Sequence, residues 1–155
     1  MRSSRALGLG AISGLRALSG PAFVCHAASR GRLDLGGTPL AFLSSSRLAK
    51  AALAMALGEA VGDKLPMAPS RTSLPPLLGR AASGALVGAA LFASGGRRAA
   101  TGAALGSTTA IVAAFAGEWL RALAGEKSGL PDPVVALAED AIVLLIGFRS
   151  LGDVP

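Results

Sequence analysis

The chain has 155 residues, of which 52% are hydrophobic and only 15% charged, and its mean hydropathy is +0.57. An ordinary soluble domain has about a quarter of its residues charged, so this composition argues against a water-soluble core and for one integral membrane domain over 1–155, with room for four to six helices at about 20 residues per span. The formal charge of +6 comes from Lys and Arg scattered between apolar runs without interleaved aromatics, which argues against a nucleic-acid partner, and a single cysteine (Cys25) beside a single histidine (His26) argues against a disulfide or a His/Cys metal site.

The first apolar stretch runs from about Ala6 to Ala28, behind the basic start Met1-Arg2-Ser3-Ser4-Arg5. A basic start, an apolar core and Ala27-Ala28 also fit a cleaved export signal or a transit peptide. Arg16 interrupts the apolar run, however, and the run exceeds the usual length of such a core, so the stretch is read as a membrane helix. Val24 before Cys25, where a small residue is wanted, argues against a lipoprotein. The second stretch spans about Arg47 to Gly62, with an extension back toward Pro39, and closes at Leu65-Pro66. The third lies between Pro76 and Gly95, the fourth between Ala99 and Leu123, and the fifth between Pro133 and Phe148. Turn signals separate them: Gly31 and Gly36-Gly37, Pro66 to Pro76, Gly95-Gly96-Arg97-Arg98, and Gly125 to Pro131. Asp132-Pro133 reads as a helix cap followed by proline at the first helical position. The fold expected is all-α, a polytopic membrane bundle of about five helices.

Glycines four residues apart recur in the first four stretches: Gly10/Gly14, Gly58/Gly62, Gly84/Gly88 and Gly102/Gly106. Small residues one turn apart let helix backbones approach closely in lipid, which predicts glycine-rich helix contacts, a tight hairpin of the third and fourth helices, and a homo-oligomer. Ala56-Leu57-Gly58-Glu59-Ala60 returns faintly as Ala136-Leu137-Ala138-Glu139-Asp140, the kind of echo an inverted repeat leaves. With five spans, Lys and Arg divide seven against seven between the two sides, so the positive-inside rule gives no orientation.

Charges at membrane depth are functional candidates by default. Arg16 falls inside the first stretch, Glu59 and Asp63 at the end of the second, and Glu139 and Asp140 in the fifth. Glu59 and Asp63, four residues apart, share one helix face, whereas Glu139 and Asp140 diverge by about 100°, and Glu139 is read as the inward one. If Arg16 pairs with Glu59 or Glu139, these charges only pin helices together. If the acids line a wet cavity, they bind a cation, a proton or a small solute. A second candidate is the proline-stiffened loop after Gly62, where Lys64, Ser70, Arg71, Thr72 and Arg80 offer an anion or lipid-headgroup site. No nucleophile elbow, Ser-x-x-Lys pair or metal-ligand cluster appears, so no catalytic residue and no cofactor is assigned.

Gly14-Leu15-Arg16 with Pro21-Ala22, then Glu59, Asp63-Lys64, Pro66, Pro69-Ser70-Arg71-Thr72, Gly79-Arg80, Pro131-Asp132 and Glu139-Asp140 resemble an uncharacterised bacterial family of small multi-pass membrane proteins, known as a domain of unknown function. The resemblance covers nearly the whole chain and implies an all-helical integral membrane protein, without an activity. The residues themselves point to a multi-pass protein of the cell membrane whose polar interior serves transport or sensing of a small ion or solute, with a non-catalytic scaffold or a lipid-headgroup binder as the alternatives.

Overall fold

Pro21 prevents the first apolar stretch from forming one helix. It lacks the N–H that a continuous helix would donate to the Ala17 carbonyl, and its ring crowds that oxygen. The chain accordingly leaves helix α1 (Arg2–Leu15) and starts helix α2 (Ser19–Ser29) after a turn at Arg16-Ala17-Leu18, which places Pro21 in the first turn of α2, where proline is tolerated. The direction reverses at this turn. Residues eleven apart on one helix lie about 16 Å apart along its axis, yet a Cβ on Gly20 would sit 3.2 Å from the Leu9 carbonyl oxygen and overlap the Ser13 hydroxyl. The predicted first span is therefore a helical hairpin.

The computed structural model describes residues 2–62, 72–128 and 132–152. Among them are six α-helices, the remaining four being α3 (Ser46–Gly62), α4 (Leu74–Ala93), α5 (Ala99–Ser128) and α6 (Asp132–Gly152). The later expected boundaries hold to within a few residues, including the start of α6 at Asp132. The second stretch does not extend back to Pro39 as helix: a separate 3-10 turn, Ala41–Ser44, precedes α3. Gly31 ends α2 with a positive φ of 72° and the Arg32 N–H bonded to the Ala27 carbonyl, a left-handed exit that glycine adopts without a Cβ clash.

Helices α1, α4 and α5 form the centre. Cβ atoms on Gly88 or Gly102 would each overlap the other's carbonyl, and the same holds for Gly84 and Gly106, so α4 and α5 run antiparallel in backbone contact. On the other side of α5, a Cβ on Gly10 would lie 3.0 Å from the Gly106 carbonyl oxygen, and one on Gly14 would overlap that of Ala110, which makes α1 parallel to α5. Gly106 is the point where three backbones meet. Gly58 and Gly62 are different, with nothing within 4 Å of an added Cβ; the four-residue spacing on α3 is not a contact. The stretches 6–28 and 99–123, which a repeat would make alike, differ in form, one a hairpin and the other part of a continuous 30-residue helix.

Helices α2, α3 and α6 flank this centre. Gly8 faces Ile146 and Ser150, while Gly147 packs under the Phe23 ring, itself edge-on to Phe148 at 5.8 Å. Thus α6 runs antiparallel to α1 and parallel to α2. The buried core is built mostly of small and aliphatic side chains, among them Ala6, Leu9, Ile12 and Val87, with the aromatic Phe92. Large apolar residues also face outward: Val61, Leu74, Trp119, Leu145 and Phe148 are all more than 60% exposed, whereas Arg16 is 1% and Arg80 4% exposed. Among the described residues two helices, over Leu74–Ala93 and Ala99–Ala124, are long and apolar enough to cross a membrane.

Candidate functional site

The turn between α1 and α2 exposes backbone groups that a continuous helix would pair, and buried backbone polar groups need partners. In an unbroken helix the Leu18 N–H would bond the Gly14 carbonyl. Here both groups bond elsewhere. The Glu59 carboxylate, from α3, accepts the Ala17 N–H at one oxygen and the Leu18 N–H at the other, both at 2.7 Å. The Gly14 carbonyl accepts the Nε–H of Arg80, from α4, at 2.9 Å. Leu18, at the cap position of α2, has no side chain to fill that role, and Glu59 supplies the oxygen instead, placing negative charge at a helix N-terminus where the peptide dipoles favour it.

The third charge at the turn is Arg16 itself. Its guanidinium is buried and pairs with Asp140 of α6 at 2.6 Å. The expected partners were Glu59 or Glu139, and neither is used in this pair. Glu59 binds backbone, and Glu139 turns the other way to accept from Arg121 of α5 at 2.8 Å. The two acids diverge as their 100° separation requires: Asp140 is the one at the hairpin, while Glu139, 12% exposed against 24% for Asp140, is the more buried and faces α5. Arg80, placed with the anion-binding loop, belongs instead to the buried end of α1. Asp63, Lys64, Ser70 and Arg71 lie outside the described residues; Thr72 precedes α4.

Between α2, α3 and α6 lies a cavity of about 480 Å³. Its walls are apolar, built from Ala22, Phe23, Leu53, Leu57, Val143 and Phe148. Arg16 and Asp140 line it at the turn, His26 lines it in the last turn of α2, two helical turns or about 10 Å from Ser19, and Arg32 lines it just past the end of that helix. Depth follows from helix length. Ala110, level with Gly14, is eleven residues from the start of α5, and Arg80 is thirteen from the end of α4, so the turn sits about 17 to 20 Å from that end of the bundle.

Of the carboxylates expected to hold a cation, Glu59, Glu139 and Asp140 thus each have an internal positive or donor partner. A cation entering at Asp140 would have to displace a guanidinium; an anion would meet one. The remaining charged or ionisable groups on the wall, Arg32 and His26, are basic too. An apolar wall with a few placed polar groups suits a small amphipathic ligand. Two signals of this arrangement were present in the sequence: Ser19-Gly20-Pro21, a breaker run inside a supposed span, and a second arginine, Arg80, inside the third apolar stretch.

A family model described as a domain of unknown function (DUF4126) matches residues 4–151. No curated protein and no solved structure matches the chain.

Proposed function

The chain belongs to the DUF4126 family, whose description assigns no activity, and from that premise we propose that it is a multi-pass membrane protein that transports or senses a small solute bound in the cavity beside Arg16. The solute class is an amphipathic organic anion. The observation that carries this reading is the pairing of buried Arg16 with part-exposed Asp140 on the wall of an otherwise apolar cavity. The guanidinium supplies a bidentate-capable anion partner, Asp140 holds it when no solute is bound, and the apolar wall takes the rest of the ligand. Buried arginines inside and exposed leucine, valine and aromatic side chains outside support the membrane placement, because large exposed apolar surface is unfavourable in water.

The membrane placement predicts that the expressed protein stays in the pellet after alkaline carbonate washing. Release into the supernatant would mean that the apolar exterior contacts other protein instead of lipid. The solute reading is tested with octanoate on protein in lipid nanodiscs. Octanoate is expected to raise the melting temperature in proportion to the logarithm of its concentration above the dissociation constant, while octylammonium does not. Asp140→Asn removes the internal competitor for Arg16 and is expected to strengthen octanoate binding about tenfold or more, equivalent to about 1.4 kcal/mol; Arg16→Gln abolishes it. Identical responses to the two amphiphiles would reject the anion reading and leave Arg16 and Asp140 as a helix fastener.

A further inference from the structure

The reversal at Arg16-Ala17-Leu18 changes where the basic residues lie. Arg2 and Arg5 start α1, and α2 returns to the same end of the bundle before the connection to α3, which carries Arg30 and Arg32, while Arg47 and Lys50 stand in the first two turns of α3. The α4–α5 turn, with Arg97 and Arg98, and the last turn of α6, with Arg149, are at that end as well, because α4 is antiparallel to α1, α5 parallel, and α6 antiparallel. Moving Arg2 and Arg5 across converts seven against seven into nine against five, with Arg16 at the turn between. Of those five, Arg80 is buried against Gly14 and Arg121 is paired with Glu139. Opposite the nine stand Asp34 and, by sequence, Asp153. Among the described residues the other acids belong to the turn or to the opposite end: Glu59 and Asp140, then Glu118, Glu126, Asp132 and Glu139.

We infer that this basic end is the cytoplasmic one and rests against anionic lipid headgroups, and that residues 2–29 dip into the membrane and return to the same face instead of crossing it. This rests on the membrane reading. Helix length supports it independently of charge: α1 has 14 residues and α2 has 11, about 21 and 16 Å, each too short for a hydrocarbon layer of about 30 Å. Backbone at a re-entrant tip is tolerated only where protein satisfies it, and Glu59 and Arg80 do so here. The bias of Lys and Arg in short connections sets orientation, and an anionic leaflet attracts such residues. The Arg32 end of the cavity then lies on the cytoplasmic side.

The test uses the full chain with Cys25→Ala and one new cysteine at a time, in right-side-out and inverted vesicles from a bacterial host, with a membrane-impermeant maleimide. Ser4→Cys and Ser45→Cys are expected to label only in inverted vesicles, and Ser128→Cys only in right-side-out ones. Labelling of Ser4→Cys and Ser45→Cys from opposite sides would overturn the re-entrant hairpin; labelling of both from outside would overturn the leaflet assignment. Carbonate washing of the same vesicles separates these outcomes from failure of the membrane reading, which would release the protein. Replacing Arg30, Arg32, Arg97 and Arg98 together by Gln levels the two ends at five each and is expected to give a mixed population, with roughly half of the Ser45→Cys label appearing in each vesicle type. An unchanged orientation would show that the basic end does not set it.

Discussion

Gly106→Leu is expected to disrupt the centre of the bundle and lower its stability by about 3 kcal/mol or more, at the upper end of what overpacking usually costs. Even a Cβ at this position would overlap the Gly84 carbonyl and lie 3.2 Å from the Gly88 Cα, while Gly10 of α1 packs on the opposite flank of the same residue. These neighbours are backbone and cannot give way by changing rotamer. Relief requires α4 or α1 to move off α5, losing the close approach along its length. Thermal unfolding of the detergent-solubilised protein measures the effect. Gly58→Ala is the matched control: nothing lies within 4 Å of the added methyl, and in a helix the change is expected to be neutral or stabilising by about 0.5 to 1 kcal/mol. If the two variants melt alike, the three-backbone junction at Gly106 is wrong.

Glu59→Gln tests the hairpin itself. A carboxylate offers an acceptor to both Ala17 and Leu18; the amide offers one oxygen and turns an NH2 donor toward the second N–H. One charge-assisted bond is lost and two donors face each other, for an expected loss of about 2 to 3 kcal/mol. Glu59→Asp is expected to fall short as well, because one methylene fewer withdraws the carboxylate from α1–α2. The specific readout is hydrogen exchange at the Ala17 and Leu18 amides, which should accelerate at least tenfold in Glu59→Gln while amides at the α4–α5 contact stay protected. Unaltered exchange at these two amides would remove Glu59 from the capping role and return it to the set of solute-binding candidates. The same experiment on Glu139→Gln should leave Ala17 and Leu18 untouched, since Glu139 contacts Arg121.

Much of the architecture follows from local chemistry. Apolar runs bounded by Pro66, Pro76, Gly95-Gly96 and Pro131 mark to within a few residues where α3, α4, α5 and α6 begin or end, because proline past the first turn removes a helical hydrogen bond and paired glycines favour turns. Periodicity put glycines on one face of α4 and of α5, and the charges of Arg16, Glu59, Glu139 and Asp140 stood out because ionisable groups are costly in an apolar setting. The pull of a long apolar run hid the interruption in the first stretch: the 14 residues of α1 precede the turn and Ser19-Gly20-Pro21, and composition averages over the break.

What the sequence by itself determined is the class of element and the identity of the residues that must find partners; which partners they find is a property of the assembled helices. Glu59 stands three residues from the end of its own helix, and it caps α2 only because α3 lies beside the hairpin. Arg80 reaches Gly14 across 66 positions of sequence, and Arg16 selects Asp140 over the adjacent Glu139 because one residue on a helix rotates a side chain by about 100° and only one of the two faces the turn. Gly58/Gly62 and Gly84/Gly88 share one spacing, yet only the second pair meets a neighbouring backbone. Spacing sets the face of a helix on which a residue stands; the crossing of helices decides whether that face is covered, and that depends on contacts between segments far apart in the chain.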